Sequence, residues 1–212
     1  MNDVAAIILA AGSASRFRAR AGEQGPETKL VARHAGKALV RHVAEVALAA
    51  GLSPVVVVTG HAAEQVRAEL AGLALTFVNN ASFATGMASS LTNGLSQLPD
   101  HVRGVVVLLG DMPLVSADLI MRLTAAFSAN PGVDAVVPTV VGQRGNPVLL
   151  SARMFPALAK LEGDAGARQA LRGDAQVVEL EVGDDAARID IDTPEALAAL
   201  SGHVASKRTS ES

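Results

Sequence analysis

Short apolar runs alternate along the chain with longer segments in which apolar residues recur at helical spacing. Seven runs have the length and β-branched content of buried strands, and they read AAIILA, PVVVVTG, LTFVNN, GVVVLLGD, DAVVPTVVG, PVLL and QVVELEV. Between the first two runs, a segment ended by Gly51 carries one helical face, made of Leu39, Val40, Val43, Val46 and Leu48. This alternation predicts βαβ units and a mostly parallel sheet flanked by helices.

Local signals refine this outline. Ser116 precedes the helical pattern ADLIMRLTAAF and is a favourable N-cap. The late strands lie closer together in the sequence, so VVG-QRGN-PVLL predicts a hairpin on the otherwise parallel sheet. Because no linker or repeat divides the chain, we predict one domain over residues 1–202, followed by a frayed polar tail over 203–212.

Composition fits one large domain and argues against several kinds of function. Of 212 residues, 50% are hydrophobic, which is enough to bury a sizeable core. The net charge of −3 and the absence of Trp and Tyr argue against a nucleic-acid-binding surface. Because the chain has no Cys, it contains no disulfide, no thiolate zinc site and no cysteine nucleophile.

The N-terminal apolar run is typical of a strand and lacks the features of a targeting segment. Asp3 precedes it in place of a positive cluster, and the run is shorter than the ~20 residues that a transmembrane helix needs. We therefore expect a cytoplasmic protein without membrane partners.

Polar residues concentrate where strand-like runs end, in segments 11–17, 59–61, 79–90, 110–113, 142–147 and 190–194. In an open α/β sheet, ligands bind beyond the carboxyl ends of the strands. The first segment places Gly12, Ser13, Ser15 and Arg16 at a helix start, where free N–H groups favour an anion. Neither GxGxxG nor GxxxxGK[ST] fits this segment, and an ordinary turn capped by serines is the alternative.

Carboxylates follow two other strand ends. Asp111 directly follows a strongly apolar run, where a charge is costly unless it is paired or bound to a cation such as Mg²⁺. Asp190 and Asp192 are two residues apart, so in an extended segment they point to one face and one of them can complete a metal site. The alternatives are that Asp111 caps the following turn, and that Asp192 or Thr193 caps the helix PEALAAL.

Seven motifs in this order resemble the molybdenum cofactor cytidylyltransferase family: LAAGSASRF, TKL, NNASFATGMASSL, LLGDMPLV, QRGNPVLL, GDAGAR and DIDTPEAL. The resemblance extends from about Val4 to Leu200. It implies a single-domain, Rossmann-like nucleotidyltransferase fold of the α/β class. It also implies that CMP passes from CTP to the terminal phosphate of a molybdopterin-type cofactor, with Mg²⁺ required and pyrophosphate released.

The resemblance assigns roles to individual residues. It implies that Arg16, Lys29 and Asp111 are catalytic. The implied nucleotide-binding residues are Leu9, Ala10, Ala11, Gly12, Ser13, Ser15, Arg16, Lys29, Gly86, Ser90 and Asp111. The implied metal ligands are Asp111 and Asp192, with Asp190 as the second choice, and the implied acceptor-binding residues are Arg144, Asn146 and Arg168.

Two departures from the family pattern affect these assignments. The loop over residues 17–28 is longer than is usual, so it is either a mobile lid or a surface insertion, and Arg18 and Arg20 are alternatives to Lys29. Many relatives carry a histidine where this chain has Asn146.

By resemblance, LAAG marks the cytidylyl branch at Ala11, whereas the guanylyl branch reads LAGG.

Other functions remain open on the sequence alone. The chain could transfer a nucleotide to a sugar or alcohol phosphate, or use GTP. It could also be a non-catalytic carrier of the finished cofactor, although a carrier has no need of a metal-triphosphate site. The partner that receives the product is expected to be a molybdoenzyme or its insertion chaperone.

Overall fold

The computed structural model describes residues 3–21, 26–171, 173, 175–183 and 185–200. In these ranges the strands are β1 (Val4–Ala10), β2 (Arg33–His34), β3 (Lys37–Ala38), β4 (Val55–Thr59), β5 (Thr76–Asn79), β6 (Gly104–Leu109), β7 (Ala135–Val140), β8 (Gln143–Arg144), β9 (Val148–Ser151) and β10 (Val177–Glu181). The α-helices are α1 (Ser15–Ala21), α2 (Leu39–Ala49), α3 (Ala63–Glu69), α4 (Met87–Leu95), α5 (Ala117–Ala129) and α6 (Phe155–Leu158), and residues 194–200 are also helical. None of the helices in these ranges combines the length and the apolar character needed to cross a bilayer.

Eight of the described strands form one sheet in the order β10-β7-β9-β6-β1-β4-β5, with β8 paired to β7. Neighbours are parallel along β6-β1-β4-β5 and between β7 and β10, whereas β9 runs antiparallel to both β6 and β7. The carboxyl ends of β1, β4, β5 and β6 therefore lie side by side at one edge. The predicted α/β class and mostly parallel sheet are confirmed.

Helices cover both faces of the sheet because the side chains of the central strands are apolar on both sides. In β1, Val4, Ala6 and Ile8 lie in one core cluster, while Ala5 and Ile7 lie in another. Helices α2 and α5 supply buried residues to the first cluster, and α4 and α6 supply them to the second. Full burial on both faces explains why the strands read as continuous apolar runs and not as alternating patterns.

All seven predicted strand-like runs contain a strand, and the hairpin is confirmed with one correction. Gln143 and Arg144, expected in the loop, form β8 and pair back on Val140 and Thr139. The chain reverses instead at Val141 and Gly142, both with positive φ, where Glu181 accepts hydrogen bonds from their N–H groups. Strands β2 and β3 were not predicted because two residues are too few for a periodic signal.

Two further expectations concern chain ends and caps. The tail predicted over 203–212 lies outside the described residues. The predicted N-cap is confirmed, because Ser116 Oγ accepts a hydrogen bond of 3.1 Å from Leu119 N at the start of α5.

Replacing Ser116 tests how much this cap contributes. We expect Ser116→Ala to lower the free energy of unfolding by ~1 kcal/mol, because one N–H of the first turn loses its acceptor. Urea denaturation measures the change, and Ser116→Asp should retain near-normal stability. The control is Ser128→Ala in the last turn of α5, where the hydroxyl only donates to Thr124 O. Equal losses in the two alanine variants would contradict the capping role.

Candidate active site

A cleft of about 540 Å³ opens at the carboxyl ends of β1 and β6. Its walls come from the loop after β1, the Lys29 segment, the 83–90 segment, the end of β6 and the chain around Asp192. The lining residues are Leu9, Ala11, Gly12, Ser13, Ala14, Ser15, Arg16, Phe17, Lys29, Leu30, Phe83, Ala84, Gly86, Met87, Ser90, Leu109, Asp111, Asp164 and Asp192. The cleft therefore lies where the sheet topology predicts a ligand site.

The loop between β1 and α1 supplies the polar floor of the cleft. Ala14 adopts a left-handed conformation, with φ of 50°, and its carbonyl accepts the first helical bond of α1 from Arg18 N. A Cβ atom added to Gly12 would meet nothing within 4 Å, so a ligand has room to approach the backbone there. Ser13 and Arg16 are exposed, so their polar groups are available to a ligand.

Lys29 lies between two carboxylates in the depth of the cleft. Its Nζ is 2.6 Å from Asp111 Oδ2 and 2.5 Å from Asp192 Oδ1, and only 14% of its side chain is exposed. Arg16 also forms an ion pair with Asp192, through Nη1 and Oδ2. Side chains from four separate segments of the chain thus meet at one charged cluster.

Packing of Ile191 holds the two late aspartates against Asp111. Ile191 N donates a 3.0 Å hydrogen bond to Asp111 O, and its side chain is fully buried with Phe17 and Leu39. Since successive side chains of an extended segment point to opposite sides, Asp190 and Asp192 both turn toward Asp111. The N-cap of helix 194–200 is Thr193, whose Oγ1 accepts from Ala196 N, so Asp192 is free to join the charged cluster.

Burial and pairing shift the pKa values in the cluster in opposite directions. Burial raises the pKa of Asp111 above its usual range, and the nearby Asp190 adds to this, although the Lys29 ammonium opposes it. Burial alone would lower the pKa of Lys29, but Asp111 and Asp192 outweigh it and the pKa is raised. The hydrogen bond from Lys29 lowers the pKa of Asp192. Lys29 is therefore protonated and Asp192 ionised near neutral pH.

The cluster also has the donor set of a divalent cation site. Carboxylate oxygens of Asp111, Asp190 and Asp192 lie within 4.8 Å of one another. Oxygen ligands suit hard cations such as Mg²⁺ and Mn²⁺, and a lysine ammonium already occupies the space between two of them. These residues therefore fit the metal that the sequence predicts.

Asn80 organises the opposite wall of the cleft. It is 1% exposed, and its Nδ2 donates to Ser89 Oγ and Ser90 Oγ at 2.8 and 3.0 Å. Its Oδ1 accepts from Ser82 N at 2.9 Å. One buried amide thus connects the end of β5 to the first turn of α4.

Gly86 is where the 163–164 loop docks on the start of α4. Its φ is 116°, and a Cβ atom there would lie 2.2 Å from the Gly163 carbonyl. Ala88 N donates a 3.0 Å hydrogen bond to Gly163 O, which brings Asp164 to the rim of the cleft. Gly86 therefore permits the close approach of another backbone segment, besides lining the cleft.

A second groove of about 320 Å³ is lined by Met112, Gln143, Arg144, Gly145, Asn146, Ala187, Arg188 and Asp190. Asp190 belongs both to this groove and to the acidic cluster, so the groove opens beside the cluster. Position 145 requires glycine, because a Cβ atom there would lie 2.5 Å from Ala187 O. Arg144 Nε is 2.7 Å from Glu179 Oε1. The groove is thus a polar surface with two arginines next to the candidate metal ligands.

Residues 6–180 match the model of the MobA-like NTP transferase domain. The chain belongs to this family. The family resemblance seen in the sequence motifs is confirmed at this level, as is the nucleotidyltransferase fold. The matched residues include strands β2 to β9 and most of β1 and β10, and they contain all the residues that line the cleft except Asp192.

Proteins similar to this MobA-like chain carry different names. The nicotine blue oxidoreductase of Paenarthrobacter nicotinovorans is 32% identical over 199 residues, which cover 91% of this chain and 93% of that protein. The structure of Rv0371c from Mycobacterium tuberculosis H37Rv aligns with a TM-score of 0.80 at 26% identity, over 95% of this chain and 98% of that chain. A complex of Rv0371c with manganese aligns with a TM-score of 0.75 at 25% identity, over 94% and 98% of the two chains.

Nearly all residues predicted for the nucleotide line the cleft of this MobA-like chain. The exception is Ala10, whose side chain lies in the core beneath the other face of the sheet, because alternation along β1 separates it from Leu9 and Ala11. Only the backbone of Ala10 can therefore reach a ligand. Lys29 is in the cleft despite the longer loop, whereas Arg20 pairs with Glu195 on the surface. Residues 22–25 of that loop lie outside the described part of the structure.

Two of the three residues predicted for the acceptor lie apart from the nucleotide cleft. Arg144 and Asn146 line the second groove, and the side chain of Arg168 lies outside the described part of the structure. Arg188, in the same groove, was not predicted, and neither were Asn80, Phe83, Met87 and Asp164 in or beside the cleft. Asn80 could have been suspected, because NN directly follows a strand-like run. Phe83 and Met87 lie within the motif NNASFATGMASSL and Asp164 within GDAGAR, so the motifs marked these segments without singling out the residues. Arg188 lies in none of the motifs and reaches the groove only through folding.

Removing the Asn80 amide tests its structural role. We expect Asn80→Ala to lower the free energy of unfolding by about 1–3 kcal/mol, because Ser90 and the Ser82 N–H lose a buried partner. Chemical denaturation measures the loss. The matched control is Asn130→Ala, whose exposed amide donates to Ala126 O and should matter little. Two variants of equal stability would show that water replaces the Asn80 amide.

Proposed function

We propose that this MobA-like protein transfers CMP from CTP to the terminal phosphate of a molybdopterin-type cofactor and releases pyrophosphate, with Mg²⁺ required. The observation that carries the proposal is the cluster of Asp111, Asp190 and Asp192 with Lys29 and Arg16 in one cleft. Opposite charges gathered at the carboxyl ends of the strands suit a metal-bound triphosphate. The product would pass to a molybdoenzyme or to its insertion chaperone.

The reaction needs positioning and charge stabilisation more than proton transfer. An oxygen of the acceptor phosphate attacks the α-phosphorus of CTP and forms a new P–O bond. The bond from that phosphorus to the α,β-bridging oxygen breaks, and pyrophosphate leaves with the electron pair. Because the attacking phosphate is already anionic at neutral pH, no general base is needed. Positively charged groups around the α-phosphate then account for most of the rate enhancement.

The chain's own residues supply these charges in the proposed assignment. Arg16 and the Ser13 and Ser15 hydroxyls bind triphosphate oxygens, while Lys29 stabilises charge that develops at the α-phosphate. Asp111 and Asp192 would hold the metal, with Asp190 as the second choice for the place of Asp192. Bound there, the metal would neutralise phosphate charge and orient the triphosphate. The manganese complex of Rv0371c, at 25% identity, supports a divalent cation in this fold.

The second groove suits the acceptor because it adjoins the cluster through Asp190. Arg144 and Arg188 bring two guanidinium groups to it, and guanidinium binds phosphate through paired N–H donors. Asn146 offers an amide to the heterocycle or its substituents. An acceptor held here would present its phosphate toward the acidic cluster. Arg168 is assigned to the acceptor by the family resemblance alone.

A choice of CTP over GTP is supported by Ala11. Its methyl group is buried, and a Cβ atom on Gly60 would lie 2.9 Å from it, so the methyl fills space between the loop and Gly60. The smaller pyrimidine fits beside this wall, whereas glycine at the same position would leave more room for a purine. The 79–90 segment, in which Asn80 forms hydrogen bonds with Ser82, Ser89 and Ser90, also contributes to the choice of CTP over GTP.

A second candidate function is suggested by the relative named nicotine blue oxidoreductase, which is 32% identical. Such an enzyme would reduce an organic substrate and would not break a phosphoanhydride. The acidic cluster favours the transferase, because hydride transfer needs no site for a metal-bound triphosphate. A different phosphorylated acceptor, and a carrier role without catalysis, are the remaining alternatives.

A pyrophosphate-release assay separates these functions. Each of the four nucleoside triphosphates is supplied with Mg²⁺ and with molybdenum cofactor, a sugar phosphate or no acceptor. We expect release only with CTP and molybdenum cofactor. Release with a sugar phosphate, or redox turnover of nicotine blue without release, would overturn the proposal in favour of another transferase or an oxidoreductase. Tight binding of cofactor without turnover would identify a carrier.

Asp111→Asn tests the metal role. We expect turnover to fall ~100-fold or more, because the metal loses a charged ligand where charge must be neutralised during transfer. Steady-state pyrophosphate release at saturating Mg²⁺ measures the loss, and circular dichroism checks the fold. Asp100→Asn, an exposed site before β6, is the matched control and should retain turnover. Near-normal activity of Asp111→Asn would reject Asp111 as a ligand.

Ala11→Gly tests the choice of nucleotide. We expect the ratio of kcat/KM for CTP over GTP to fall without inverting, since one methyl group contributes about 1–3 kcal/mol of discrimination. Ala14→Gly relaxes the same loop at a left-handed residue and should leave the ratio unchanged. A wild type that prefers GTP would overturn the assignment to the cytidylyl branch.

A further inference from the structure

We propose that Lys29 keeps the acidic cluster closed to free divalent metal, so that the metal enters the cleft only together with a nucleotide. The Lys29 ammonium lies 2.6 Å from Asp111 Oδ2 and 2.5 Å from Asp192 Oδ1, between two of the candidate metal ligands. The proposal rests on the proposed function in that the cluster receives a metal-bound nucleotide.

The Lys29 ammonium occupies the space that a metal ion would take between Asp111 and Asp192. A magnesium ion bonds carboxylate oxygens at ~2.1 Å, so an ion that bridged Asp111 and Asp192 would need the oxygen lone pairs that the ammonium now occupies. The ammonium and a bridging ion therefore compete for the same two oxygens. Metal binding through those two oxygens requires that Lys29 leave.

The charge of the acidic cluster also disfavours a free metal ion. The cluster contains three carboxylates, and Lys29 and Arg16 neutralise most of that charge within hydrogen-bonding distance. A free cation that arrives alone would displace Lys29 and leave its charge without an anionic partner in a mostly buried place. A triphosphate that arrives with the cation brings new anionic oxygens for Lys29, and the exchange then becomes favourable.

The local backbone allows this exchange to be a motion of one side chain. Lys29 opens a short 3₁₀ helix, Lys29–Val31, whose cap is the buried Thr28 and whose Leu30 is 4% exposed in the core. These neighbours fix the backbone of Lys29. The side chain has a flexible four-carbon stem and can turn from the carboxylates to a phosphate without moving the loop.

Binding of Mn²⁺ to the nucleotide-free protein tests the proposal without turnover. Electron paramagnetic resonance of free Mn²⁺ gives the dissociation constant for wild type and for Lys29→Met, a nearly isosteric neutral variant. We expect Lys29→Met to bind Mn²⁺ about tenfold more tightly or better, the scale of one unit charge removed near a protein surface. Lys29→Gln should behave in the same way, and Lys29→Arg should stay weak.

The matched control is Lys37→Met. Lys37 is also ion-paired to a carboxylate, at 2.6 Å from Glu45, but it lies on the surface away from the cleft, so its loss should leave Mn²⁺ affinity unchanged. In the double variant Lys29→Met with Asp111→Asn, the increase in Mn²⁺ affinity should disappear. That result would show that the extra Mn²⁺ binds at the acidic cluster.

The same Mn²⁺ titration is then repeated in the presence of a CTP analogue with a methylene bridge between the α- and β-phosphorus. With it, wild type should bind Mn²⁺ tightly, and the advantage of Lys29→Met should disappear. Equal Mn²⁺ affinity of nucleotide-free wild type and both neutral variants would overturn the proposal. Neither titration depends on CMP transfer. A higher Mn²⁺ affinity of Lys29→Met would therefore support the role of Lys29 even if the protein proves to use another acceptor.

Discussion

The ion pairs of Lys29 with Asp111 and Asp192 are the interaction on which the candidate site depends. Asp111 follows a strand that is buried on both faces, so its carboxylate is costly without a cation close by. Lys29 supplies that cation and also ties the segment before α2 to the chain that follows β10. Parts of the chain 163 residues apart are thereby connected at one point.

The same cluster separates two recognition surfaces. On one side, the loop after β1 and the Asn80 network frame the larger cleft; on the other, β8 and the 187–190 segment frame the second groove. The reversal of β9 makes this possible, because the connection between β7 and β9 stays at the same sheet edge as Asp111. In the proposed function, a nucleotide and an acceptor would meet at Asp190 without sharing a pocket.

Membership in the MobA-like family accounts for the fold but leaves the substrates to individual residues. The relative from Paenarthrobacter nicotinovorans has an oxidoreductase name, although it aligns with nearly the whole chain. A shared α/β scaffold does not by itself decide the chemistry, which depends on the residues at the site. In this chain, the oxygen-rich cluster and its two cations favour phosphoryl chemistry, and that preference comes from side chains and not from the sheet.

The sequence by itself determined seven of the strands, placed the polar segments at their carboxyl ends, and singled out Asp111 and the loop after β1 as candidates for the site. These features are local: apolar runs specify buried strands, and a charge at the end of such a run requires a partner. Only the tertiary structure decided which partner it finds, that Ala10 faces the core, that β8 exists, and that Asn80, Asp164 and Arg188 reach the two surfaces. Those outcomes depend on strand order and on packing between distant segments, such as Ile191 against Phe17, and no short stretch of sequence contains that information.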